Sequence, residues 1–206
     1  NKIISANDNK KRIKNLIKPL AKNFSCVENV FIENKVKNIY KYMNNSYDVF
    51  PRNYHPKLFT PAPLHYRSVI KYLLNGKNNI PYIKAEKLNQ GIFNDLGTIL
   101  KPQEYITITL RDYGYMPNRN TSNKDIEIAY QLSCKLNKKL IVVSDKEENL
   151  SKYNFPSEAL ISKFPRKSLR ARNAIYANSD VNIFKESGPA YLSHYLKEVK
   201  TIIIDF

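Results

Sequence analysis

Four short runs rich in β-branched residues, separated by segments of helical period, constrain the fold of the C-terminal half. The runs are EYITITL, KLIVVSD, DVNIFKES and KTIIID, and each is long enough for a buried parallel strand. Helical patterns lie between them in SNKDIEIAYQLSCKLN, SLRARNAIYANS and GPAYLSHYLKE, and EALISKF is predicted as a further short helix. Strands that alternate with helices predict a parallel sheet with right-handed crossovers.

The N-terminal half carries a weaker α/β pattern and ends in a predicted linker over residues 85–103. Residues 52–67 contain three prolines and are predicted to cross the surface or to line a cleft. The fold class is therefore α/β, with two Rossmann-like halves, residues 1–100 and 101–206, each a parallel sheet flanked by helices. The chain opens on Asn1 and stops on the strand TIIIDF, so we expect a fragment with an incomplete N-terminal half.

The charge is strongly basic, with 34 Lys and Arg against 18 Asp and Glu, a net charge of +16. Such a surface attracts phosphates, including those of nucleic acid and anionic lipid. The basic residues are scattered and form no block of five or six, which favours a solvated surface over a specific nucleic-acid footprint.

No window reaches the roughly 18 apolar residues of a membrane span. Cys26 and Cys134 lie far apart and outside any metal-ligand spacing, which predicts buried thiols in a reducing compartment, with a disulfide as the alternative. We expect a cytoplasmic protein, with peripheral contact to an anionic membrane left open.

The sequence lacks the motifs that mark several kinds of catalytic or cofactor site. The three histidines have no metal-ligand spacing, so no metal site and no cofactor is predicted. The chain also lacks a G-x-S-x-G elbow, a P-loop and a G-x-G-x-x-G turn, which argues against a serine hydrolase, an ordinary NTPase and a nicotinamide enzyme.

Polar and charged residues follow three of the predicted strands. RDYGYMPNRNTS follows the first, DKEEN the second and KESGPAY the third. Ligands of open parallel sheets bind beyond the carboxyl ends of the strands. One crevice is therefore expected to collect Arg111, Asp112, Tyr113, Arg119, Asp145, Lys146, Lys185, Glu186, Ser187 and Gly188.

The chemistry of these residues favours an anion. Gly188 lets backbone approach a ligand closely, and Pro189 suits a first helical turn whose N–H groups attract negative charge. Arg111 and Arg119 are predicted to add bidentate contacts to phosphate oxygens. Together they predict a diphosphate clamp.

Carboxylates of the same crevice, Asp145 among them, are expected to accept hydrogen bonds from ribose or sugar hydroxyls. Each of these residues also has a purely structural alternative. The Gly-Pro pair would only start a helix, and Asp145 would cap a helix. Tyr113 would pack within the protein, and Arg111 would form a surface ion pair with Asp112 or Glu127.

Residues 104–206 resemble the donor-binding domain of two-domain (GT-B) glycosyltransferases. ITITLRDYGYMPNRN is similar to the strand and arginine-bearing loop that open this domain in fucosyltransferase-like and heptosyltransferase-like enzymes. ANSDVNIFKESGPAYLSHYL is similar to their later strand, small-residue turn and helix. The heptosyltransferase pattern has an Asp-Thr/Ser-Gly triplet and a following His, whereas this chain has Glu186 and Tyr191 near those places.

The resemblance implies a metal-independent glycosyltransferase that moves a sugar from a nucleotide-diphosphate donor to a glycan or lipid-linked acceptor in surface polysaccharide synthesis. Arg111 and Arg119 would hold the phosphates, Ser187 and Gly188 would close the pocket, and Asp145 or Lys146 would lie near the nucleoside. Asp48 and His65 are the candidates for the base that takes the acceptor proton. The alternatives are a basic nucleic-acid-binding protein and a catalytically inactive domain of glycosyltransferase type.

Overall fold

The computed structural model describes residues 14–15, 18–25, 27, 29–30, 32, 82–85, 88, 91, 96–114, 116–144, 150–163 and 168–204. The chain forms two compact units, one of residues 1–26 together with 82–206 and one of residues 27–81. Residues 33–81, with the proline-rich segment, lie outside the described part, so the predicted boundary at residue 100 stays a prediction.

The first unit contains a five-stranded parallel sheet with helices on both faces, which confirms the predicted fold class. The strands are β1 (Tyr105–Thr109), β2 (Lys139–Val143), β3 (Leu160–Ser162), β4 (Asn182–Lys185) and β5 (Thr201–Ile204). The helices are α1 (Lys18–Lys22), α2 (Asn123–Lys135), α3 (Leu169–Asn178) and α4 (Gly188–His194). Two 3-10 turns, Pro117–Arg119 and Leu150–Lys152, lie in the connections. The strand order is β3-β2-β1-β4-β5.

Alternation of side chains along the strands separates two hydrophobic clusters. Tyr105 of β1 belongs to the cluster that includes residues of α3 and α4, whereas Ile106 and Ile108 belong to the cluster that includes residues of α2. All five residues of β1 are buried, as expected for a central strand covered on both faces.

The predicted short helix EALISKF is wrong, because its centre forms β3. Leu160, Ile161 and Ser162 pair in parallel with Ile141, Val142 and Val143 of β2. A short apolar run is compatible with either helix or strand, and here an open edge of β2 supplies the ladder that decides it.

The predicted burial of Cys134 is also wrong, because this residue lies exposed on α2, whereas the predicted free thiol is confirmed. The buried residues of this helix include Ile126 and Ala129, so the helical period directs Cys134 away from the sheet. Cys26 lies outside the described residues. None of the helices that the structure describes is long and apolar enough to span a membrane.

A buried ion pair joins α2 to the end of β4. The Nζ of Lys185 lies 3.3 Å from Oδ1 of Asp125, and the two side chains are 8% and 3% exposed. The other carboxylate oxygen, Oδ2, accepts hydrogen bonds from Ser122 N at 2.7 Å and Ser122 Oγ at 2.9 Å, as part of the capping box that starts α2. Removing one partner of such a pair leaves a buried, uncompensated charge.

We therefore predict that Lys185→Met lowers the free energy of unfolding by about 3 kcal/mol. Lys200→Met is the control, because Lys200 also pairs with an aspartate, Asp180, at 2.9 Å but is 72% exposed. An exposed pair contributes at most about 1 kcal/mol. Urea denaturation of both variants checks the difference, and equal losses would contradict it.

Candidate functional site at the switch point of the sheet

The strand order creates a switch point between β1 and β4. From β1 the chain continues to β2 and β3 on one side, and then crosses to β4 and β5 on the other. β1 and β4 pair in parallel, with Thr109 opposite Phe184, so both strands end at the same edge of the sheet. Diverging connections leave a crevice there, where ligands of open α/β sheets bind. The pairing of β1 with both β2 and β4 places the three strands that precede the predicted site residues side by side in the sheet.

The loop that follows β1 is closed at its base by Arg111 and Thr121. The backbone N of Arg111 donates to Oγ1 of Thr121 at 2.9 Å, and the N of Thr121 donates to the O of Arg111 at 2.9 Å. Thr121 is buried, so the two ends of the loop are held together beside the end of β1.

The side chain of Arg111 organises the interior of this loop. Its Nη1 donates to Met116 O at 3.0 Å and to Asn120 Oδ1 at 2.6 Å, and its guanidinium carbon lies 5.8 Å from the ring centroid of Tyr113. The Asn120 amide also holds Tyr113, accepting from its N at 3.0 Å and donating to its O at 3.0 Å. Arg111 is buried and Tyr113 is exposed. Direct contact of Arg111 with a phosphate and of Tyr113 with the donor stays a prediction, whereas the hydrogen bonds by which Arg111 holds the loop are observed.

Arg119 reaches from this loop to the end of β4. Its Nη2 donates to the backbone O of Glu186 at 3.2 Å and to the Oε2 of the same residue. The second carboxylate oxygen, Glu186 Oε1, accepts from the hydroxyl of Tyr191 at 2.9 Å. The side chains of Arg119 and Glu186 are 28% and 39% exposed, so the pair lies at the surface of the crevice. Two predicted site residues from different strands are thus in contact.

Ser187 and Gly188 begin α4 directly beyond Glu186. Ser187 is the N-cap residue and its side chain makes no capping hydrogen bond, while Pro189 occupies the first turn. Apart from its chain neighbours and the backbone of α4, no described residue has an atom within 4 Å of a Cβ added to Gly188, so packing against these residues does not require glycine at this position. The helix has only seven residues, and its contribution to anion binding is correspondingly limited.

Carboxylates near the crevice are already paired with cations or donors. Asp112 Oδ2 lies 2.6 Å from the Nζ of Lys152, and Asp125 is paired with Lys185 as described above. Burial raises the pKa of Tyr153 to about 12, with the charges of Asp112 and Asp125 as smaller causes. Tyr153 is therefore a neutral hydroxyl at physiological pH.

Four predicted site residues, Asp48, His65, Asp145 and Lys146, lie outside the described residues, and their roles stay predictions. Sequence reasoning missed Asn120, which fixes the loop, and the contact of Tyr191 with Glu186. The run PNRNTS, rich in turn formers, was the available signal for Asn120. Within the described ranges no three His, Cys, Asp or Glu residues form a group that could hold a metal ion.

No known protein family matches the chain, and no curated protein matches it. Among solved structures, the chain is similar to KpsC, a beta Kdo 2,4 transferase of Thermosulfurimonas dismutans, with 12% sequence identity and a TM-score of 0.41. The match covers 72% of this chain and 46% of that one, so the chain spans less than half the length of that structure. A similarity of this size assigns neither a family nor an activity.

The loop geometry yields a prediction for Asn120→Ala. Loss of the amide removes the hydrogen bonds to Arg111 and Tyr113, so backbone amides of this loop should exchange with solvent at least about fivefold faster, since one net hydrogen bond contributes about 1 kcal/mol. Hydrogen-exchange mass spectrometry measures the rates. Gln131→Ala, which removes only a contact to Glu127 on the exposed side of α2, is the control. Unchanged exchange in the loop would mean that Asn120 does not hold it.

Proposed function

We propose that this chain binds a nucleoside-diphosphate sugar at the switch point of its sheet and forms the donor-binding part of a glycosyltransferase. The observation that carries the proposal is the contact of Arg119, from the loop after β1, with Glu186 at the end of β4. It provides a partly exposed guanidinium and a partly exposed carboxylate at the edge where such sheets bind ligands. The strand order supports a nucleotide in particular, because β3-β2-β1-β4-β5 is an order of doubly wound nucleotide-binding sheets.

Arg119 is the proposed contact for the diphosphate. A salt bridge exposed to this degree contributes at most about 1 kcal/mol, so a ligand with two phosphates competes effectively with Glu186 for the guanidinium. The planar fork of arginine matches two phosphate oxygens at once. Arg111 supports this arrangement from below by holding the loop that carries Arg119.

Glu186 is the proposed contact for hydroxyl groups of the ligand. A carboxylate accepts hydrogen bonds from adjacent hydroxyls of ribose or of the transferred sugar, and the Tyr191 hydroxyl at 2.9 Å limits its rotation. Exposed Tyr113 and Tyr191 flank the same crevice and offer apolar ring surface. We propose that the Ser187–Gly188 backbone forms one side of the pocket, because no described residue beyond α4 and the chain neighbours crowds the space beside Gly188.

Sugar transfer needs stabilisation of a leaving diphosphate. An acceptor oxygen forms a bond to the anomeric carbon while the bond from that carbon to the phosphate oxygen breaks, and the electron pair remains on the diphosphate. A pre-positioned cation stabilises the charge that develops there, which is the role proposed for Arg119 in a metal-independent reaction. The acceptor proton passes to a base, for which Asp48 and His65 remain the candidates.

The proposed acceptor is a glycan or a lipid-linked glycan of surface polysaccharide synthesis. We place the reaction in the cytoplasm, with peripheral contact to an anionic membrane. Turnover of donor and acceptor would separate an active transferase from an inactive domain that only binds the donor. Release of nucleoside diphosphate that depends on the acceptor reports that turnover.

Titration calorimetry with UDP, GDP, CDP and ADP tests the site. We predict saturable binding of one of them and a loss of about 10- to 100-fold in affinity for Arg119→Ala, because a charged hydrogen bond contributes about 1.5–3 kcal/mol. Lys101→Ala is the matched control, since it removes one exposed positive charge four residues before β1, at the opposite edge of the sheet. It should change affinity by less than about twofold, because exposed charges this far apart are screened by salt.

Equal losses in the two variants would contradict a specific phosphate contact and would indicate bulk electrostatics alone. The nucleic-acid-binding alternative predicts a different result. The chain would bind single-stranded DNA but no nucleotide, and its affinity for DNA would fall steeply with salt because many counterions are released.

A further inference from the structure

The residues that the structure describes around a second concave site in the same unit are all basic or neutral. It has a volume of about 470 Å³, which lies within the range of small-molecule pockets. Of the described residues that line it, none is acidic, and the basic ones are Lys14, Lys18, Lys22, Lys84 and Arg170. None of these belongs to the crevice between β1 and β4.

Three of the lysines form a like-charged row. Lys14, Lys18 and Lys22 are spaced four residues apart, and the last two lie on α1, which has no acid in its first turn. Like charges at this spacing destabilise a helix by about 0.2–0.5 kcal/mol per pair. Within the part of the chain that the structure describes, Lys18, Lys22 and Lys84 have no carboxylate partner within ion-pair distance. No carboxylate among the described residues therefore neutralises these lysines.

Apolar packing and backbone pairing hold the row in place against the repulsion. Leu20 and Phe24 pack against the cluster on the α3 and α4 side of the sheet, and Phe24 forms a β-bridge with Ile83. The backbone N of Lys84 donates to Asn23 O at 2.9 Å, which joins the segment of Lys84 to the end of α1. Arg170 stands in the first turn of α3. Three separate segments thus present cations to one cavity.

We propose that this cavity is a binding site for a small soluble ligand that carries at least two phosphate groups. Four lysines and one arginine gathered at a single cavity match several negative charges rather than one, and lysine ammonium groups bind phosphate as point charges without a fixed geometry. A volume of this size suits a ligand of metabolite dimensions. The site does not depend on the proposed donor site, since no residue is shared.

The experiment uses the full chain and sodium tripolyphosphate as the probe, with calorimetry at about physiological salt. Lys18→Gln/Lys22→Gln should weaken binding at least tenfold. The control, Lys101→Gln/Lys197→Gln, removes the same charge from exposed positions outside the cavity. Its affinity for tripolyphosphate should stay within about threefold of that of the unaltered chain. Arg119→Ala should also retain binding, which separates this site from the crevice between β1 and β4.

Thermal unfolding gives a second readout that does not rely on affinity. Removal of two lysines relieves the repulsion, so Lys18→Gln/Lys22→Gln should melt at or above the melting temperature of the unaltered chain. Tripolyphosphate should raise the melting temperature of the unaltered chain but not that of this variant. The proposal is overturned if tripolyphosphate shows no saturable binding, if the control pair loses as much affinity, or if only Arg119→Ala abolishes binding.

Discussion

The parallel pairing of β1 with both β2 and β4 is the constraint on which the candidate site depends. It buries β1 on both faces and brings its end beside the end of β4, with Thr109 opposite Phe184. From this edge the connections diverge, so the loop after β1 and the turn after β4 face each other. Arg119 contacts Glu186 as a direct consequence. A sheet with β1 at its edge would have offered no such crevice.

Buried polar contacts reinforce this pairing on the α3 side of the sheet. Thr107 Oγ1 donates to Asn182 Oδ1 at 2.7 Å, and Asn182 Nδ2 donates to Tyr176 O at 2.9 Å. The hydroxyls of Thr109 and Tyr176 are 2.8 Å apart. Every atom in this chain of contacts is buried, so a change of register would leave polar groups without partners. These contacts connect β1, β4 and α3 and favour the one register that forms the crevice.

The sequence predicted β1, β2, β4 and β5 and three of the helices, because β-branched runs and the helical period are local properties of the chain. It did not predict β3, since the run ALISKF becomes a strand only through pairing with β2. Nor could it specify the partners of Arg111: the residue type and its place after a strand suggested a phosphate contact, but its donors reach Met116 and Asn120 within the loop. Such hydrogen bonds depend on the path of the loop, which no periodicity encodes. The gathering of Arg119 and Glu186 followed from sheet topology and was therefore accessible in advance.

The basic residues of the chain lie in different electrostatic surroundings at the two proposed sites. Arg119, Lys152 and Lys185 pair with carboxylates around the crevice, whereas the described residues that line the cavity beside α1 include five basic side chains and no acidic one. In the crevice, a ligand phosphate can replace the carboxylate that pairs with Arg119. In the cavity beside α1, the net positive charge attracts a ligand with several negative charges. A scattered distribution in the sequence thus corresponds to two distinct electrostatic environments in the fold.

A crystal structure of the chain grown with the nucleoside diphosphate that binds best tests the central claim most directly. The account predicts density for the diphosphate between the loop of residues 111–120 and the turn at Glu186–Gly188, with Arg119 turned from the carboxylate to the phosphate oxygens. Density only in the lysine-lined cavity beside α1, with the contact of Arg119 and Glu186 intact, would contradict it.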